Sequence, residues 1–403
     1  MTLKRSESEK GSASLRVLAL GHEASRSGAA MIHRAWLQWA IARPEYHDLR
    51  SVLVRRGPLL DDWPPGLRVD VLSCFDRDRG LGWRGLRSRV VDRQTIIAWR
   101  LRRLVRRESI GAETVVFVNT LTLGWLFPIL EACRCRVVVH AHELAGATSR
   151  SVSPKDLAAM RRVAERWIAV SEAEKRHLIK TLGVSEDQIV LVRNFIPPRP
   201  VRLSEPKETR LSLGRRYEIP PDAHWVVAVG NLAQVKAPEV FLEVARLVNV
   251  HKRPVAFIWI GDGLKTPYGR RLTNCPGADI VHWVGHCEDP TSWLDAAAMV
   301  LVTSVEESSS LVALEAAQLC RPTLAFAGTG GIDEFLVDGS GFLVAERSAR
   351  AMATAVVNLL ENPAAARKAG QMAKAKASVE SNYERQCEAL ASALKSLPKV
   401  RQT

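Results

Sequence analysis

No apolar stretch of this 403-residue chain approaches the roughly 18 residues that a membrane-crossing helix needs. The longest runs, such as WVVAVG at 225–230, have the length of buried strands. The first residues, MTLKRSESEKGSAS, are polar and lack the apolar stretch of a secretory leader, so none is expected. Cysteine is sparse: seven residues at 74, 133, 135, 275, 287, 320 and 387 form an odd, scattered set. Only Cys133 and Cys135 are close, and C-x-C is not the C-x-x-C spacing of a structural zinc site. Neither a disulfide scaffold nor a metal centre is expected, and reduced thiols of a cytoplasmic protein account for the set. A G-x-G-x-x-G turn is missing after the first strand of either half, which argues against a nicotinamide oxidoreductase.

What is present is the profile of a globular protein, 47% hydrophobic and 25% charged, with length enough for two cores. The formal net charge is +14, and much of it is concentrated between Arg77 and Arg107, where eleven arginines face only Asp78 and Asp92. Trp83, Leu86, Val90, Ile97, Leu101 and Leu104 recur at three- and four-residue steps, so part of this segment is an amphipathic basic helix. It reads either as a solvated helix face or as a contact for anionic lipid or an anionic acceptor. No nucleic-acid-binding motif accompanies the charge, so nucleic acid is not an expected partner. The expected location is cytoplasmic, with peripheral contact to the inner face of the membrane.

Short β-branched runs alternate with longer helical patterns. Strands are expected at LRVLAL (15–20), VDVL (69–72), TVVFV (114–118), RVVV (136–139), WIAV (167–170) and IVLV (189–192). A second series follows at WVVAV (225–229), VAFIWI (255–260), MVLV (299–302), TLAF (323–326) and GFLV (341–344). Near-continuous apolar runs suit parallel strands buried on both faces, and their alternation with helices indicates βαβ units. Proline and charge in IPPRPVRLSEPKETR (196–210) mark a linker. The chain is therefore expected to be α/β, with doubly wound, Rossmann-like domains at 14–195 and 211–375 and a helical segment at 376–403. Ligands of such sheets bind beyond the C-terminal ends of the strands.

Residues just after strands are thus the candidates for chemistry. ESSSLVALEAAQLCRPTLAF (307–326) reads as loop, helix start, helix and strand, with Ser308, Ser309 and Ser310 of helix-capping type. A helix beginning near Leu311 aims free N–H groups at the cleft, which favours an anion, above all phosphate. Glu315 lies about one turn inside that helix and Glu307 ahead of it. Carboxylates there repel phosphate but suit hydrogen bonds from sugar and ribose hydroxyls. VAVGNLAQVKAPEVFLEVA (227–245) places a strand, the Gly230 turn, Lys236 and a helix in order, and that lysine can reach a diphosphate at the cleft. ALGHEASRSGAA (19–30) puts a Gly- and Ser-rich loop after the first strand, with Gly28 as its candidate ligand contact. HAHEL (140–144) sets His140 and His142 at the cleft rim, and H-x-H without a third ligand is not a metal site.

Together these pieces resemble the retaining glycosyltransferases of family 4, whose fold is the two-domain GT-B architecture. Their E-G-F-G-L-V-x-L-E signature corresponds to E-S-S-S-L-V-A-L-E at 307–315, with Ser308 and Ser310 in place of glycines. Their V-G-R-x-x-x-x-K-G corresponds to the stretch ending at Lys236, with Asn231 where the family has arginine. WIGDG (259–263), the passage 281–307, GTGGIDEFLVDGSGFLV (328–344) and AVSEAEKRHLIKTLGVSEDQIVLVRNFIP (169–197) match in order and spacing. The resemblance covers roughly residues 15 to 345.

It implies that Glu307 contacts the donor sugar, Glu315 the nucleotide ribose, and the amides near Ser310 and Leu311 the distal phosphate. Lys236 would clamp the diphosphate, assisted by Gly230, Asn231 or a compensating cation such as Lys265 or Arg271. Glu334 would sit beside the donor and Gly28 over its diphosphate, while Asn194 matches a family asparagine. A histidine close to the transferred sugar is His142 first and His140 second. The implied partners are a nucleoside-diphosphate sugar and a carbohydrate or lipid-linked acceptor, with no cofactor and no metal. A final helix crossing back to the first domain is also implied. A nucleotide-sugar epimerase and a non-catalytic nucleotide-sugar or polyanion-binding protein are the alternatives.

Overall fold

A computed structural model describes residues 15–73, 92–198, 206–248 and 254–397. The first sheet comprises β1 (Arg16–Glu23), β2 (Leu49–Arg55), β3 (Arg68–Val71), β4 (Thr114–Val118), β5 (Arg136–Ala141), β6 (Ala164–Ala169) and β7 (Ile189–Leu191), ordered β3-β2-β1-β4-β5-β6-β7. The second comprises β8 (His224–Val229), β9 (Val255–Ile260), β10 (Val281–Gly285), β11 (Met299–Val302), β12 (Thr323–Phe326) and β13 (Phe342–Val344), ordered β10-β9-β8-β11-β12-β13. Every pairing is parallel. In both sheets the winding reverses beside the first strand, between β1 and β4 and between β8 and β11, and a crevice opens at such a switch point.

The apolar runs read from the sequence form strands because both faces of each sheet are covered. On one face of the first sheet Leu18, Leu20, Val116 and Val139 pack with Leu101 and Leu104 of the helix Arg93–Arg107. On the other, Val17, Ala19, Phe117 and Ile168 pack with Trp36 and Leu37 of the helix Gly28–Ile41. Two strands, β2 and β10, were not anticipated. In β2 the apolar run is broken by Arg50 and Ser51; Ser51 is nonetheless fully buried, and Arg50 is neutralised by Glu108 at 2.7 Å. β10 lies at a sheet edge with His282, Trp283 and Val284 only partly buried, so it carries little apolar signal.

The helix Tyr383–Lys395 lies on the first domain, where Leu390 and Leu394 join the same core as Trp36. Burying a leucine contributes about 1.5–3 kcal/mol, so this helix ties the end of the chain firmly to its beginning. The Tyr383 hydroxyl donates to the Ala35 carbonyl at 2.9 Å, and the Trp39 indole donates to Glu384 at 2.6 Å. Within the 196–210 stretch read as a linker, a helix already begins at Pro206. Of the arginine-rich segment, 77–91 lies outside the described residues, as does Cys74. The remainder is the helix Arg93–Arg107, in which Arg107 pairs with Asp70 and Glu108 and Arg100 bonds the Leu72 carbonyl. Among the described residues no helix is long and apolar enough to cross a membrane.

Candidate active site

The two switch points face one another, and the candidate residues stand on the loops leaving them. After β8 the chain turns at Gly230 and runs through a single 3-10 turn, Gln234–Lys236, before the helix Pro238–Val248. A side chain at Gly261 would put its Cβ 2.1 Å from the Gly230 carbonyl, and φ there is +149°, so the two strand ends meet only because 261 is glycine. The stem of Lys236 lies over Gly230, 3.4 Å from where a Cβ would stand. Its ammonium reaches the Glu307 carboxylate at 2.7 Å, and the Ser304 hydroxyl donates to the same oxygen at 3.0 Å. Glu307 follows β11 and is held by its N–H to the Thr329 carbonyl, 2.9 Å. Residues 71 positions apart thus form one charged pair, with Lys236 about one-third exposed and open to the cleft.

The helix Leu311–Gln318 begins beside that pair. Ser310 caps it, its Oγ accepting from the Ala313 N–H at 3.3 Å. Leu311 at its first turn meets the loop after β1, where a Cβ on Gly28 would stand 3.6 Å from the leucine. Glu315 lies one turn into this helix, partly buried. Ser308 donates to the His142 carbonyl at 2.7 Å, and Asn194 donates to the Ser309 carbonyl at 3.4 Å. The serines that stand for the family's glycines therefore join the domains and cap the helix. Asn231 and Lys265 are exposed on the loops after β8 and β9.

On the facing wall, desolvation governs. His142 follows β5 and its Nε2 lies 3.3 Å from Asn119 Oδ1. Asn119 donates through Nδ2 to the Ala29 carbonyl, so its oxygen must accept from His142, and His142 keeps its proton on Nε2 with Nδ1 as an acceptor. Burial, and then the nearby His33, hold His142 down to about 3; burial alone puts His33 at about 3 as well. His140 is fully buried, stacks on Phe117 and lies 4.1 Å ring to ring from His142, with neither nitrogen hydrogen bonded among the described residues. Burial above all, and then the repulsion it would meet from His142 and His33 if they shared the charge, push it well below its ordinary value. All three rings are neutral at physiological pH.

Two further carboxylates join the domains. Glu334 accepts from the Glu172 and Ala173 N–H groups at 3.0 and 2.7 Å, capping the helix Glu172–Lys180 of the first domain, and pairs with Arg193 at 3.2 Å. It is engaged by the opposite domain rather than left open toward a ligand. Glu306 does likewise, accepting from Gly146 and Ala147 N–H at 2.8 and 2.9 Å at the start of the helix Ala145–Ser151. A carboxylate at a helix start contributes roughly 0.3–1 kcal/mol, and up to about 2 when partly buried. Glu306, Asn119 and Arg26 were missed in the sequence. Their signals were an E-E pair and an N-T pair after strands, together with an arginine in the Gly- and Ser-rich loop. Arg26 reaches across to the Glu288 carbonyl at 3.2 Å. Among the described residues no group of three or more His, Cys, Asp or Glu could hold a metal ion.

Two parallel-sheet domains of this winding, with facing switch points, are the GT-B architecture. Residues 223–362 match the family described as Glycosyl transferases group 1, and residues 62–199 match Glycosyltransferase Family 4. The chain belongs to glycosyltransferase family 4. Curated relatives include D-inositol 3-phosphate glycosyltransferase 2 of Catenulispora acidiphila, 32% identical over 213 residues that cover 50% of this chain and 49% of that protein. D-inositol 3-phosphate glycosyltransferase of Streptomyces avermitilis is 28% identical over 265 residues, 62% of this chain and 56% of that protein. The chain spans about half the length of the curated relatives it matches. Among solved structures, HepE of Anabaena in complex with UDP-glucose superposes with a TM-score of 0.76 at 18% identity, covering 95% of this chain and 100% of that one. Sucrose-phosphate synthase of Thermosynechococcus elongatus gives 0.73 at 18% identity, covering 95% and 99%. Both likenesses are of fold.

Proposed function

We propose that this protein transfers a glycosyl group from a nucleoside-diphosphate sugar to an acceptor hydroxyl, with retention, in cell-surface polysaccharide, lipopolysaccharide or glycolipid synthesis. The observation that carries the reading is the Lys236–Glu307 pair, 2.7 Å apart beside the start of the helix Leu311–Gln318. A diphosphate entering there meets an ammonium and helix N–H groups, which stabilise charge as it develops on the leaving group. Glu307 accepts from sugar hydroxyls and Glu315 from the ribose. The bond from the anomeric carbon to the diphosphate oxygen breaks, the acceptor oxygen bonds that carbon, and its proton passes to the departing phosphate oxygen. His142, neutral, orients the sugar by accepting a hydrogen bond at Nδ1. The UDP-glucose of the HepE complex, in a protein of the same fold, supports a nucleotide-sugar donor.

A thermal-shift screen of UDP- and GDP-sugars tests the donor: a ligand of the native state raises Tm. With the donor found, Glu307→Gln is expected to lower kcat by about 10²-fold with small change in nucleotide affinity. Glu315→Gln is expected chiefly to weaken nucleotide binding. Wild-type kinetics in both variants would remove the pair from the site.

The same reading includes peripheral attachment to an anionic membrane. On the helix Arg93–Arg107, Trp99 is 55% exposed, flanked on the outer face by exposed Arg102, Arg103 and Arg106. An exposed tryptophan among arginines suits a headgroup boundary, and each basic residue there contributes about 1 kcal/mol. Co-sedimentation with vesicles is expected to require anionic lipid, to fall with salt, and to weaken when the three arginines become glutamine. Equal binding to zwitterionic vesicles, or none to either, returns the helix to a solvated face.

A further inference from the structure

Three imidazoles crowd the strand ends of the first domain. His33 and His140 each stack on Phe117, 5.7 Å ring to ring, and His140 lies 4.1 Å from His142. A half-turn of an imidazole about its Cβ–Cγ bond exchanges a nitrogen for a carbon at nearly the same place. Packing therefore fixes the plane of such a ring but not its tautomer. The main chain of His142 is held at both ends: its N–H donates to Glu143 at 3.0 Å, and its carbonyl accepts from the Ser308 hydroxyl at 2.7 Å. What remains to be set is the ring. Asn119 follows β4, is 3% exposed, and donates its main-chain N–H to the Leu20 carbonyl at 3.0 Å. Its carboxamide bridges two loops at the cleft, with Nδ2 donating to the Ala29 carbonyl beside Gly28 at 2.9 Å and Oδ1 3.3 Å from His142 Nε2. A carbonyl only accepts, so the amide has one orientation and its oxygen takes the Nε2 proton. Ionisable neighbours do not compete for that proton: burial lowers His33 and His140, and Glu143 is occupied by Thr120 and the Leu121 N–H.

We propose that Asn119 is a positioning residue of the transfer reaction: by holding the His142 proton on Nε2 it leaves Nδ1 as a pure acceptor for a hydroxyl of the donor sugar. Buried as it is, Asn119 meets no substrate and acts only through His142. A ring free to turn misplaces that acceptor, and misplacement of this kind costs catalysis more than it costs binding. The proposal rests on the transfer reaction proposed above.

The first measurement is the nitrogen NMR spectrum of the full chain labelled at histidine, with the His142 signals identified by their loss in His142→Ala. Wild type is expected to carry the ring proton on Nε2 at neutral pH, and Asn119→Ala to carry it wholly or partly on Nδ1. The second is a double-mutant cycle on kcat, using the donor that the thermal-shift screen finds. Asn119→Ala is expected to lower kcat about tenfold with UDP or GDP affinity unchanged, and to lower it no further in His142→Ala. Asn119→Ser, whose side chain is too short to span both partners, is expected to follow the same pattern and serves should the alanine variant fail to fold. A proton on Nδ1 in wild type, a tautomer unmoved by both substitutions, or an equal loss of kcat with and without His142 overturns the proposal while nucleotide binding stands. Failure of UDP and GDP to bind sinks the transfer reaction on which the proposal rests, whatever the spectra show.

Discussion

The two domains share a winding order but treat polar groups at the cleft in opposite ways. In the second domain the strand ends are glycine-rich and carry charges that remain in contact with solvent, Lys236 and Glu307 foremost. In the first domain the corresponding strand ends bury theirs: His33, His140 and His142 are held neutral by desolvation. Glu143 is raised by burial even though Thr120 and the Leu121 and His142 N–H groups all donate to it. Glu174, fully buried with neither oxygen hydrogen bonded among the described residues, is raised well above its ordinary value by desolvation, then by Glu143 and Glu306. The difference teaches a division of labour. The strand ends of one domain hold a charged pair in contact with solvent; those of the other hold buried, neutral rings.

The largest expected effect comes from breaking the neutral wall at His142, which is only partly buried. His142→Ala is expected to lower kcat by about 10²-fold with nucleotide affinity intact. Because the folded pKa of His142 is about 3, wild-type kcat should show no histidine inflection between about pH 5 and 8. An inflection near 6.5 assigned to His142 by this variant would break the comparison.

Stability gives the next effect, and its sign differs between the buried groups. A histidine with a lowered folded pKa costs stability as pH falls below 6.5, since the unfolded chain takes up the proton first. Glu174 acts the other way. Its folded pKa is raised, so its contribution is present below about 4.5 and is lost as pH rises through the folded value. Glu174→Gln is therefore expected to raise Tm at pH 8 and to change it little at pH 5. For a domain of this size each 1 kcal/mol shifts Tm by roughly 2–4 °C. Scanning calorimetry at both values checks it, and a difference that shrinks with rising pH would contradict the assignment.

The smallest effect sharpens the other wall. Asn231→Arg restores a planar, charged fork beside Lys236 and is expected to tighten UDP or GDP binding by about tenfold. Unchanged or weaker affinity for both nucleotides would show that another cation, Arg26 among the candidates, already fills the place.

Much of this was legible before any tertiary contact was considered. Eleven of the strands were visible because a parallel strand covered on both faces must be apolar almost throughout. β2 and β10 escaped because Arg50 and Ser51 find partners or burial only in the fold, and because an edge strand needs less apolar surface. Lys236 and Glu307 were legible as charged residues just beyond strand ends. Their pairing was not, since 71 residues separate them and only the parallel order β8-β11 makes them neighbours.

The sequence by itself determined the alternation of strand and helix, the two-domain division and the polar loops at the strand ends, because periodicity and turn chemistry are local properties. Only the tertiary structure decided what each acid does. Glu306 and Glu307 are adjacent and chemically identical, yet extended backbone turns successive side chains to opposite sides. One therefore caps a helix of the first domain at 2.8 Å, while the other meets Lys236 at 2.7 Å. Glu334, read as a ligand contact, is instead bound to two amides 162 and 161 residues away. Burial set the protonation of His33, His140, His142 and Glu174 in the same way, since desolvation depends on what packs around a group and not on its neighbours in the chain.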